Sequence, residues 1–204
     1  MPERLKQVRR GFHLSIFTVA WNIVEGIVAI ISGILAGSVA LLGFGIDSFV
    51  ESASGIVVGW RFSYEMSGRS QEQAEKAESL AARITGSLLL ILAAYLLIDS
   101  CRRLLGFGRE PDPSLPGIIL TIISLIVMPM LARAKLRLAD SLGSKALRAD
   151  SYETIACAWL SATTLAGLAL NALFRWWWAD PVAALAIVPL IVREGLEGLR
   201  GESD

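Results

Sequence analysis

Apolar stretches long enough to cross ~30 Å of hydrocarbon return six times along 204 residues, and no other feature limits the fold so tightly. They run over 14–35, 39–60, 84–98, 115–131, 155–173 and 178–192. The third and sixth are short, so their true ends are expected to reach into flanking polar residues. With no water in the bilayer core, each stretch must satisfy its own backbone groups, which makes it a helix. The predicted fold is an all-α integral membrane bundle of six transmembrane helices. Six spans use nearly the whole chain, so 1–204 is read as a single transmembrane domain with no C-terminal soluble domain. A mean hydropathy of +0.57 agrees with that reading. The formal net charge of zero gives no reason to expect a nucleic-acid partner.

Lys and Arg set the expected orientation. Only Arg102, Arg103, Arg109 and Arg175 fall on one side of the six spans. The others lie in the N-terminal tail, between spans two and three, between spans four and five (Arg133, Lys135, Arg137, Lys145, Arg148) and in the C-terminal tail. Both termini are therefore expected in the cytoplasm, with the cell (inner) membrane as the expected location and the Trp176-Trp177-Trp178 run at the outer interface. The first apolar run is too long for a cleaved signal peptide and carries Glu25. Cys101 at the outer end of span three and Cys157 within span five differ in depth, so no disulfide is expected between them.

Within the second span, Ser38 to Trp60 contains two charges, Asp47 and Glu51, and no others. Their i, i+4 spacing stacks both carboxylates on one helix face. Each costs at least ~2.5 kcal/mol at mid-membrane, and the two repel each other. Something must bind this pair: a proton, a metal ion or a cation from another helix. Span five offers a second pair one turn apart, Glu153 and Cys157, with Asp150 one turn earlier. Two ligands from each of two helices can close a tetrahedron around Zn²⁺ or a similar ion. The expected ligands are Asp47, Glu51, Glu153 and Cys157, with Glu25 and Asp150 as possible additions. Glu25, with Asn22 one turn before it, reads either as a protonated or Asn-bonded packing residue or as a fifth ligand or proton acceptor.

Other polar residues read as structural. Asp99 with Arg102 and Arg103 suggests a surface ion pair, and Asp180 before Pro181 an N-cap with Pro at N1. Ser48, Ser52, Gly55 and Gly59 form a small-residue strip suited to packing inside the bundle. Pro129 should kink or unwind span four. His13 sits at the cytoplasmic mouth of span one. The Glu65, Glu72, Glu75 and Glu78 run between spans two and three reads as a solvated helix face, with an acidic cation funnel as the alternative. No GxSxG, HExxH or phosphate loop is present, so the chain is not read as an enzyme.

Together these residues resemble the cation diffusion facilitator family across all six spans. The resemblance rests on Ser38-Val39-Ala40-Leu41-Leu42 leading to Asp47 and Glu51, on Ala146-Leu147-Arg148-Ala149-Asp150, and on Trp178-Ala179-Asp180-Pro181-Val182-Ala183-Ala184. It implies a divalent-metal/proton exchanger whose site draws two residues from span two and two from span five. Where the family usually has His and Asp in span five, this chain has Glu153 and Cys157, so an imidazole is lost and a thiol gained. Phe44-Gly45-Ile46-Asp47 resembles the family's short branch, which lacks the cytoplasmic domain. The resemblance implies export of a divalent metal from the cytoplasm against protons, Zn²⁺ first, then Cd²⁺, Co²⁺, Fe²⁺ or Mn²⁺. It also implies a homodimer formed through the membrane helices, with no prosthetic group. A proton-coupled exporter of organic cations and a non-transporting, metal-sensing scaffold are the alternatives.

Overall fold

The structure, a computed structural model, describes residues 2–66, 71–107 and 110–200. Six helices follow in order: α1 (Pro2–Ala36), α2 (Val39–Met66), α3 (Gln71–Leu104), α4 (Leu115–Leu142), α5 (Lys145–Phe174) and α6 (Ala179–Arg200). No strand occurs among the described residues. Four of the helices, α1, α2, α4 and α5, are long and apolar enough to cross a membrane. Every helix outruns its expected span, because the polar flanks continue the helix beyond the apolar run. The acidic side chains Glu72, Glu75 and Glu78 lie outside the described residues, and with them the funnel reading.

The helix α2 is the hub, packed against α1, α3, α5 and α6. Its partner α1 approaches closely because glycines face each other: a Cβ on Gly26 would stand 3.0 Å from the Gly45 carbonyl oxygen. Gly55 and Gly59 face Val19 and Ser15 of α1, so the small-residue strip packs within the bundle. The turn between α1 and α2 needs Gly37 at φ 66°, a left-handed conformation that glycine adopts without strain. The helix α4 runs unbroken through Pro129. Large apolar side chains such as Ile34, Leu35, Ile91, Ile126 and Leu173 are left outside the bundle. In lipid that is their favourable place.

Three short turns are stitched together at one end. The Asp112 amide donates to the Ala36 carbonyl at 2.8 Å, and the Asn171 side-chain amide donates to the Pro111 carbonyl at 2.7 Å. Arg103 pairs with Asp99 at 2.9 Å, as expected, but also reaches the Gly37 carbonyl and is largely buried. Asp180 corrects the sequence reading. Instead of capping its own helix, its carboxylate accepts hydrogen bonds from the Ser38 hydroxyl and from the amide of Val39 at 2.8 Å. It thus caps α2 together with Ser38, whose Oγ accepts from the Leu41 amide at 3.0 Å. Two motifs far apart in sequence form one joint.

Candidate cation site

Eight residues in from its start, α2 brings Asp47 about 12 Å below that joint, and Glu51 about 18 Å, at 1.5 Å per residue. Both are buried, at 5% and 3% exposure. On α5, Asp150, Thr154 and Cys157 share a helix face and are buried too. The surprise comes from α4. Lys135 was counted among the loop cations; it lies inside the helix and is fully buried.

Its ammonium stands 2.8 Å from Asp150 Oδ2 and 3.8 Å from Glu51 Oε1. It also donates to Thr154 Oγ1 at 2.7 Å, and the Thr154 hydroxyl donates to Glu51 Oε1 at 2.6 Å. Of the three solutions open to the acid pair, the cation from another helix is the one seen for Glu51. The pattern of α4 explains why. Thr121, Ser124, Met128, Leu131, Ala132, Lys135 and Ala139 recur at helical spacing and are all buried, whereas Arg133 and Arg137 are exposed. Helical side chains lean toward the N-terminus, so the Lys135 stem points up the bundle toward the acids rather than out to the headgroups.

The predicted ligands are near one another but do not form a closed cage. Asp47 lies within electrostatic reach of Glu51, Glu153 and Glu25, and Cys157 lies near Glu51. Glu153 is only partly buried and faces Ser54 of α2. Among the described residues, no three His, Cys, Asp or Glu side chains stand close enough together to hold a metal ion. Asp150, one turn before Glu153, is 1% exposed and belongs to the cluster. His13 is exposed beside Phe12 and takes no part.

A second polar group adjoins the first. Glu25 of α1 accepts hydrogen bonds from Ser48 of α2 at 3.0 Å and from Ser124 of α4. Asn22 is fully buried, yet neither of its side-chain polar atoms has a hydrogen-bond partner among the described residues. The Asn-bonded reading of Glu25 is therefore replaced by a serine-bonded one. Lys135, Thr154, Ser48 and Ser124 were missed from sequence. For Lys135 a signal existed, its place in the apolar period of α4; a lone hydroxyl on a helix carries no comparable mark.

A helical bundle with apolar side chains outside and acidic side chains buried within defines the class: a multi-pass membrane protein. Residues 15–201 match the family model of the cation efflux transmembrane domain, and the chain belongs to that family, the cation diffusion facilitators. It is 31% identical to an uncharacterized transporter of Synechocystis, over 75% of this chain and 50% of the relative. It is 24% identical to a cadmium, cobalt and zinc/H(+)-K(+) antiporter of Bacillus subtilis, over 91% of this chain and 60% of the relative. Magnetosome protein MamB of Paramagnetospirillum magneticum is 26% identical over 81% of this chain and 56% of that protein. The chain thus spans about half to three-fifths of the length of these relatives.

Proposed function

We propose that this chain is a secondary transporter that moves a divalent transition metal, Zn²⁺ foremost, out of the cytoplasm in exchange for protons. The observation that carries the reading is the gathering of Asp47, Glu51, Asp150 and Cys157 at the α2–α5 contact, deep in the bundle. Oxygen and sulfur donors suit Zn²⁺ and Cd²⁺. Carboxylates can also take up protons when the metal leaves, which couples the two fluxes. The cargo named for the Bacillus relative fits that donor set. Asp47, Glu51, Glu153 and Cys157 are the proposed ligands. Glu25, held by two serines beside them, serves as the neighbouring proton acceptor, and alternating access rocks the helices around the site. Six crossings, cytoplasmic termini, a cell-membrane location and a homodimer complete the proposal.

Uptake into proteoliposomes, run with Zn²⁺, Cd²⁺, Co²⁺, Fe²⁺ and Mn²⁺ at two pH gradients, tests it. Asp47→Ala and Glu51→Ala should each abolish uptake while the protein still inserts. Cys157→Ser should weaken Cd²⁺ and Zn²⁺ more than Mn²⁺. Wild-type flux in either acidic variant would sink the assignment. One observation favours a second reading, export of organic cations: the cluster already holds an ammonium on an alkyl stem, that of Lys135. Proton release driven by an organic amine, with no dependence on metal, would select it.

A further inference from the structure

We propose that Lys135 is a tethered competitor for the cargo: its ammonium supplies the counter-charge at Asp150 and Glu51 when no cation is bound and withdraws from Glu51 when one arrives. The inference rests on the metal-site reading above and adds a regulator to it.

The grip on the ammonium is uneven. Asp150 Oδ2 at 2.8 Å and Thr154 Oγ1 at 2.7 Å hold it by direct contact, while Glu51 Oε1 stands off at 3.8 Å. Glu51 is thus the loose side and Asp150 the anchor. Coordinating capacity is also left over: Glu51 Oε2, Asp150 Oδ1 and Glu153 Oε2 are buried atoms without a hydrogen-bond partner among the described residues. A buried carboxylate oxygen with no partner is costly, and it is available to a ligand.

Two positive charges cannot share such a pocket cheaply, because repulsion in a low-dielectric interior far exceeds its value in water. A divalent ion on Glu51 and Cys157 would therefore displace the ammonium. The stem of Lys135 is flexible, so a rotation can carry Nζ away from Glu51 while the contact with Asp150 persists. In that arrangement Asp150 is the parking place of the lysine rather than a ligand of the cargo. When the cargo leaves, the ammonium returns, and Glu51 regains its counter-charge. Such a competitor lowers affinity and speeds release.

Cd²⁺ titration calorimetry on the full-length purified protein, paired with Cd²⁺ flux in proteoliposomes, separates the possibilities. Lys135→Met should tighten Cd²⁺ binding by roughly tenfold or more and lower the maximal flux, since release loses its displacing cation. Lys135→Arg keeps the charge and should retain near wild-type affinity. If Lys135→Met fails to fold, the neutral pair Lys135→Met with Asp150→Asn removes both charges together and should tighten binding as well. Unchanged or weaker binding in a folded Lys135→Met or neutral-pair variant, with Cd²⁺ still bound by the wild type, overturns the competitor alone. No Cd²⁺ binding by the wild type or any variant overturns the metal-site reading and the competitor with it.

Discussion

Thr154 is the residue on which the cluster turns, since it accepts from Lys135 at 2.7 Å and donates to Glu51 at 2.6 Å. A hydroxyl can do both at once; no apolar residue of the same shape can do either. Thr154→Val should therefore leave a buried ammonium and a buried carboxylate each short of a partner, costing ~1–3 kcal/mol or more. Thr154→Ser should restore most of the loss. Thermal unfolding in detergent reads the stability, and proteoliposome flux reads the function; a Val variant that behaves as wild type would remove Thr154 from the relay. The acid pair Asp47 and Glu51 was legible in the sequence because a charge in an apolar run stands out. Lys135 was not, because it is flanked by Arg133 and Arg137 and so resembles a basic loop. Separating them takes the helical period, which puts Lys135 with Met128 and Ala132 and the two arginines on other faces.

Helices meet at their ends as well as along their faces, and the α2–α6 joint shows how much one carboxylate can organise. Asp180 of α6 satisfies the first amides of α2 and the hydroxyl of Ser38, groups that no partner within α2 can serve. Removing it leaves those donors buried and unmet. Asp180→Ala should cost about 2 kcal/mol or more, and Ser38→Ala about 1 kcal/mol. Because the two share a hydrogen bond, the double variant should fall short of the sum of the singles. Unfolding midpoints of the three proteins measure this, and strict additivity would mean the contact contributes nothing. The order and type of the elements were readable from apolar runs alone. Their ends were not, since polar residues such as those of 132–142 continue α4 past the hydrocarbon. Nor could spacing within one segment reveal that the carboxylate of α6 belongs to α2.

At the scale of the molecule, the turns after α1, α3 and α5 gather at one end, tied by Asp112 to Ala36, Arg103 to Gly37 and Asn171 to Pro111. Trp176 and Trp178 stack at the same end, with ring centroids 5.2 Å apart. Aromatic rings favour the headgroup zone, and Lys and Arg are scarce near these turns, which is the ground for proposing this end as the outer one. Cys101 makes that orientation measurable. It is exposed near the end of α3, one turn before Leu105, whereas Cys157 is buried in the site. A maleimide that cannot cross the membrane should label Cys101 in intact cells, and Cys101→Ser should abolish the signal. Cys157→Ser should leave the signal unchanged, because the thiol of the site is shielded by α2 and α5. Labelling that needs permeabilised cells would invert the bundle, place the termini outside and reverse the direction of the proposed transport.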